Sequence, residues 1–585
     1  MRKGYFVFFA VLLGLLMPCD EACAIRYAKK EFIDQEIVSP LLRYKGAPIC
    51  WNFDGTVSGE PYFNVSLDKV AKGQEGLQHA QAGCVNTSMG TIMYANAYPS
   101  ASALPGEALD TDTEFTISVG NLFNWKRIKM SGGSESGNFY KWDLMIPYPV
   151  SSDLSPVASA DRRRNEMAVF LRDIGAAMRT EYNSSAGNSY FFKAPGILKK
   201  YFFYKDARHY GYSQLALLST LVDLTREEIE NTITPSLDMG MPVMIRLSGS
   251  EDDCWASHAV VVDGYAYAND QFVRERYNGK YNDKFKKLLY HLVLNEGDRS
   301  VDGWHDLEDR SKTVTKGDYE RITAINYNIC SKDEGGIIGG RLFRRKSDGE
   351  LELLSGDACA DYEMQAQMIY FGWDKSGVTQ AKANGHYALR YPIKWGEIKE
   401  KSYVKPCATV SLINKKDKTV LVSSKMLHVG DKDDDSDIGL VGATLPGLFG
   451  GTHHMQGRNF WPVDFILDES VVIGTGADTK GLKALIQSSE NASDDSGFNQ
   501  WCLSGFGKRL NSRWTGEGTD AFFVDTFPYN TFLSLGAGRF PWIGELMTKA
   551  EKVAADGGIV FICGESWPFA QRLAAKAGKP LGFYS

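Results

Sequence analysis

No Cys-x-x-Cys pair, no His-Glu-x-x-His run and no clear internal repeat occurs in this chain of 585 residues. The first absence excludes a zinc ribbon, and ten scattered cysteines are too few for a dense disulfide scaffold. The second leaves His453-His454 without metal-site spacing, since adjacent histidines usually point apart. Positive charge is not in excess either: the net charge of −7 argues against a general nucleic-acid binder. Beyond the first residues, no apolar run is long enough to cross a bilayer, so no stable membrane span is expected. No cofactor motif and no metal site stand out.

What is present reads as globular, with 43% hydrophobic and 23% charged residues, which excludes wholesale disorder. The length suggests about three or four domains. Residues 1–24 have the parts of a secretory signal: Met1-Arg2-Lys3, an apolar run from Tyr5 to Met17, then Ala22-Cys23-Ala24. A lipid anchor at Cys19 is disfavoured because Met17-Pro18 stands where small residues belong. Cleavage after Ala24 predicts a secreted, or otherwise extracytoplasmic, soluble protein. Cys19 and Cys23 leave with the signal. Eight cysteines remain, so if Cys84 is a free nucleophile at least one more thiol is unpaired or bridges to another chain.

Residues 25–36 are charged and read as an extended lead-in, with Ile37-Val38-Ser39-Pro40-Leu41-Leu42 docking on the body behind it. Further on, Val85, Met89, Ile92 and Met93 fall on one face at helical spacing, and Tyr98-Pro99 closes the segment. That helix starts at Cys84. A thiol there feels the positive end of the helix dipole, which favours thiolate, the form a nucleophile needs. The alternative is a buried cysteine filling core space. Helices are also predicted over 162–182, 194–203 and 227–239. Strands follow at 242–247, at 258–265 with His258 at its mouth, at 287–295 and near 322–329. Helices first and an antiparallel sheet after them is an α+β order.

From about residue 332 to 515 the texture is short strands with Gly335-Gly336, Gly339-Gly340 and Gly450-Gly451 as turn punctuation, a mostly β region. Residues 516–585 read as a small α/β module of strand 521–525, helix 542–555 and strand 559–563. Its end is faintly like the start of a thioredoxin-like domain, incomplete and without the redox cysteines. The alternating aspartates from Asp431 to Asp437 lack the glycine and closing glutamate of a calcium loop and read as a solvated acidic turn.

A cysteine peptidase needs a thiolate, an imidazole that stores and delivers the proton, and a polar group that fixes the ring. Cys84 at a helix start and His258 at a strand start meet the first two requirements. The ordered succession of Val38-Ser39-Pro40-Leu41-Leu42, Trp51, Pro61-Tyr62, Gly83-Cys84-Val85, Phe123-Asn124-Trp125, Ile174-Gly175, Ser248-Gly249-Ser250, His258-Ala259-Val260, Asp263-Gly264-Tyr265, Asn295, Gly297 and Asp302-Gly303-Trp304 resembles the streptopain family of cysteine peptidases. The resemblance spans residues 37–331. It implies a papain-like fold, protein or peptide substrates, Cys84 as nucleophile, His258 as general acid/base and Asn295 as the group that orients the imidazole.

Two positions depart from the family pattern. Where the family has a glutamine that donates to the oxyanion, this chain has Phe53, and loss of one such donor costs a factor of ~100 to 1,000 in rate. Asn52 and the backbone N–H of Cys84 are then the candidate oxyanion donors. The family's Asn-Trp-Gly-Trp run reads Asn295-Glu296-Gly297-Asp298, so the indole that shields the histidine is missing and a carboxylate capable of raising its pKa stands there. The family's long inhibitory pro-segment has no counterpart in residues 25–36. The expected function is a secreted cysteine endopeptidase; the alternative is a catalytically weak or inactive peptidase fold that serves as an extracellular binding protein.

Overall fold

The computed structural model describes most residues from 26 to 391, parts of 407–468 and the strands at 521–525 and 559–563. They divide into two compact units that part between Glu334 and Gly335. The architecture is mixed, with few helices and many strands.

In chain order the principal elements of the first unit are strands β1 (Arg26–Ala28) and β2 (Ile33–Val38), helices α1 (Cys84–Ala95) and α2 (Ala158–Ala177), strand β3 (Asp206–Gly211) and helix α3 (Arg226–Asp238). Strands β4 (Val243–Gly249), β5 (Ser257–Ala268), β6 (Leu288–Val293), β7 (Gly303–Asp306) and β8 (Tyr319–Cys330) follow. The strands form one sheet in the order β1-β7-β6-β5-β4-β8-β3, with β2 also on β5, and every pairing is antiparallel.

The extended lead-in is joined to the sheet over residues 26–28 and 33–38. Arg26–Ala28 pairs with β7 and Ile33–Val38 with β5. Their charge suits short peripheral strands, where Lys and Asp discourage further pairing, and Asp34 is ion-paired with Lys286.

Helix α1 differs from its one-faced pattern, since every residue from Val85 to Tyr94 is buried. Its polar side chains go inside because each finds a carbonyl: Asn86 Nδ2 donates to Ala82 O (2.8 Å), Thr87 Oγ1 to Gly83 O (2.9 Å), Ser88 Oγ to Ala259 O (3.0 Å) and Thr91 Oγ1 to Ser88 O (3.0 Å). A buried hydroxyl or amide is tolerable only on those terms. Helix α2 stops at Ala177 rather than 182, because Arg179 takes φ +54° and the chain turns into a short strand at Glu181–Tyr182. Helix α3 opens on a capping box between Thr225 and Glu228.

The second unit contains β9 (Ile337–Arg345), β10 (Tyr362–Ile369), β11 (His386–Arg390), β12 (Cys407–Asn414) and β13 (Phe465–Asp468) among its strands. β9 runs antiparallel to β11 and parallel to β13, and β10 antiparallel to β12, around Ile338, Leu342, Met364, Tyr387, Leu412 and Phe465. Gly339-Gly340, read as a turn, lies inside β9. A Cβ on Gly340 would stand 2.1 Å from the Val463 carbonyl, so glycine serves close approach here. Strands 521–525 and 559–563 pair in parallel. The Asp431–Asp437 run, His453-His454 and the helix expected at 542–555 lie outside the described residues.

Candidate active site

Gly83 places the thiol. It takes φ +93°, and a Cβ there would be 2.2 Å from the Gly187 carbonyl oxygen, a position only glycine fills. Its N–H donates to Phe53 O (2.9 Å), and its carbonyl accepts from Thr87 N (3.0 Å), so α1 opens at Cys84. Cys84 is a free, half-buried thiol; Cys50, Cys330 and Cys359 are also free.

The antiparallel register of β4 and β5 pairs His258 with Leu247. His258 is buried, and its Nε2 hydrogen-bonds the Leu294 carbonyl at 2.9 Å. A carbonyl only accepts, so Nε2 carries a proton, and Nδ1 is the nitrogen left for the thiol. Cys84 and His258 are hydrogen-bonded to each other, and Ala259 N–H and Val85 N–H also donate to the sulfur.

Burial pushes the Cys84 thiol up, but the hydrogen bond and charge of His258, with the two backbone donors, outweigh it, and the net shift is downward. Burial likewise pushes His258 down, while the bond and charge of Cys84, the Leu294 carbonyl and the Glu296 carboxylate raise it overall. Opposed shifts of this sign favour the thiolate–imidazolium pair. Glu296 acts in the direction its position suggested, as the weakest of those influences.

The other expected residues are placed differently. Asn295 is buried at φ +57°; its Nδ2 donates to Ser88 Oγ (3.0 Å) and its Oδ1 has no partner. The imidazole is held instead by the carbonyl of the preceding residue, Leu294, because the left-handed turn at Asn295 commits its amide to α1. Asn52 is committed to its own loop: Oδ1 accepts from Asp54 N (3.2 Å) and Nδ2 donates to Thr56 Oγ1 at 3.4 Å. One amide hydrogen of Asn52 is thus engaged at long range, and Asn52 and the Cys84 N–H at the helix start stay the two candidate oxyanion donors. Phe53 stands edge-on to His258, ring centres 5.0 Å apart. Its N–H donates to Asn295 O (2.7 Å), locking the Trp51 loop to the histidine's loop. A cavity of about 430 Å³ lies beside this loop, lined by residues including Asn52, Asp54, Tyr148 and Glu296, with neither Cys84 nor His258 in its wall.

Sequence reasoning missed the Leu294 carbonyl and Ser88, neither of which announces itself by residue type. It also missed Asp302 as a support: Oδ1 accepts from Leu294 N–H at 2.9 Å, so the carboxylate holds the peptide whose carbonyl holds His258. Burial raises Asp302 to about 6. A carboxyl raised on folding contributes stability that is present in acid and lost as pH rises through about 6. Asp302→Asn is therefore expected to flatten the fall in melting temperature between about pH 4 and pH 7. Parallel curves for the two proteins would contradict this.

A thiol at a helix start, hydrogen-bonded to an imidazole whose far nitrogen is anchored, is the equipment of a cysteine-type peptidase. Residues 58–283, the region that holds both Cys84 and His258, match the model of the Peptidase C10 family, the streptopain family. Asn52, Phe53 and Asn295 fall outside the matched span.

Among curated proteins the chain is similar to the thiol protease/hemagglutinin PrtT of Porphyromonas gingivalis, 24% identical over 263 residues. The match covers 44% of this chain and only 25% of that relative's length. Among solved structures it resembles the interpain A cysteine protease of Prevotella intermedia, at 15% identity and a TM-score of 0.33, over 52% of this chain and 98% of that one.

Proposed function

We propose that the protein is a secreted cysteine endopeptidase that hydrolyses protein substrates through an acyl-enzyme. The observation that carries this reading is the Cys84–His258 hydrogen bond with His258 Nε2 anchored on Leu294 O. Cys84 Sγ attacks the scissile carbonyl carbon, and the carbonyl π electrons move to oxygen. His258 holds the thiol proton on Nδ1 and delivers it to the leaving amine as the C–N bond breaks. Water then adds to the thioester, giving its proton to His258, and thiolate leaves with release of the carboxylic acid. The Cys84 N–H at the start of α1 is the donor best placed for the oxyanion. The missing glutamine at Phe53 supports a modest rate rather than a fast one.

The same reading assigns residues 1–24 to a signal, about 37–331 to a papain-like peptidase domain joined by the strands at 26–38, 332–515 to a β-rich region and 516–585 to a small α/β module. No helix among the described residues is long and apolar enough to cross a membrane.

The test is hydrolysis of unfolded casein by the chain from Ile25 onward under reducing conditions, beside Cys84→Ala. Cleavage by the parent and none by the variant is expected. Equal, near-zero rates in two demonstrably folded proteins would overturn the peptidase reading.

A further inference from the structure

The sheet face that supports α1 carries a cation for which the acyl-transfer steps have no use. Arg246 lies mid-strand in β4, between Ile245 and Leu247, and is only 6% exposed. Its cross-strand neighbours are Ala259 on β5 and Ala324 on β8, one register step from the Leu247–His258 pair. Strand alternation puts Met244, Arg246 and Ser248 on one face. Met244, Ala259 and Ala324 belong to the core that includes Val85 and Met89 of α1, so that face is the one beneath the helix. Ala259 also contacts the site directly: its N–H reaches the Cys84 sulfur and its carbonyl accepts from Ser88 Oγ. The Arg246 guanidinium accordingly feels the charge of Cys84.

The other buried Lys and Arg among the described residues have carboxylates: Arg208 has Asp206, Lys287 has Asp306 and Arg341 has Asp464. Arg246 has no carboxylate among the described residues. Its Nη1 makes one long hydrogen bond to Thr323 Oγ1 at 3.4 Å, and its Nε has no acceptor. Burial lowers it only to about 10, so it is charged at neutral pH. A buried guanidinium with most of its five donors unused is costly to keep, and its planar fork matches a carboxylate. The thiolate does not fill that need, because its donors are His258 and two backbone amides.

We propose that Arg246 forms a carboxylate-binding subsite beside Cys84, so that the protein selects peptides presenting a carboxylate close to the scissile bond. This rests on the peptidase reading above and adds a substrate class to it. The carboxylate comes either from an acidic side chain or from the peptide's own C-terminus.

The experiment compares two reagents of similar size on the full chain, iodoacetate and iodoacetamide, following Cys84 alone by peptide mass spectrometry in wild type, Arg246→Gln and Arg246→Lys. The iodoacetate-to-iodoacetamide rate ratio is expected to fall about tenfold in Arg246→Gln, with Arg246→Lys between. An unchanged ratio in Arg246→Gln overturns the proposal whether or not the protein cleaves anything. A second arm needs no variant to fold: blocked peptides that differ only in Glu against Gln, and the Gln peptide with a free C-terminus, are tested for protection of wild-type Cys84 from iodoacetamide. Better protection by the Glu peptide assigns the side chain, and by the free terminus the C-terminal carboxylate. Equal protection by charged and neutral peptides overturns the subsite. Absent casein cleavage with an Arg246-dependent ratio would remove the peptidase reading and leave the anion site standing.

Discussion

His258→Ala is expected to slow iodoacetamide labelling of Cys84 at pH 5.5, by up to about a thousandfold, because an ordinary thiol of pKa about 8.5 is then only about one part in a thousand thiolate. In the wild-type protein the pair is held together by its own charges: Cys84 is shifted down and His258 up, each mainly by the other once burial has been overcome. Thiolate therefore persists as pH falls below the usual thiol range, and imidazolium persists as pH rises above the usual histidine range near 6.5. The ion pair occupies the window between the two shifted values, and labelling should be flat across it. Without the imidazole, burial remains and pushes the thiol up, so the variant's rate should climb only at alkaline pH. Superimposable pH–rate curves for the two proteins would show that Cys84 is an inert thiol.

Gly83→Ala is expected to destabilise the first unit by about 3 kcal/mol or more, placing it among the severe single substitutions. The added Cβ meets the Gly187 carbonyl oxygen at 2.2 Å, a backbone atom that cannot swing aside, at a φ of +93° that L residues rarely adopt. Gly46 separates the two costs. It has φ +85° but nothing within 4 Å of its Cβ position, so Gly46→Ala should cost only the conformational term, about 1–2 kcal/mol. The shift of the urea transition followed by Cys84 exposure measures both. Equal losses would mean that the approach of Gly187 does not constrain the start of α1.

Phe53 shows how a residue that is read for one role can be missed for another. From the sequence it is a lost oxyanion donor, and the chain separately lacks an indole after Asn295. In the structure the Phe53 ring stands 5.0 Å from the imidazole, edge-on, on the other loop. The apolar cover of His258 is thus supplied from a part of the chain about 240 residues away from where the family pattern looks for it. Residue spacing cannot reveal such a replacement, because it depends on which two loops the Phe53 N–H to Asn295 O bond ties together.

The sequence by itself determined most of the elements around the site and pointed to Cys84 and His258 as its candidate pair. Apolar spacing located α1, α2, α3 and strands β4, β5, β6 and β8 to within a few residues, because local periodicity is set by one stretch of backbone at a time. Cys84 and His258 were legible because a thiol at a helix start and an imidazole at a strand mouth are rare residues in ordered surroundings. Tertiary structure alone decided what surrounds them. It turned the charged segment at 26–38 into strands, buried α1 on every side, moved the hold on His258 from the Asn295 side chain to the Leu294 carbonyl, and left Arg246 without a carboxylate under the helix. Each of these depends on backbone groups or on partners far apart in the chain, and a backbone carbonyl carries no signature in a residue's name.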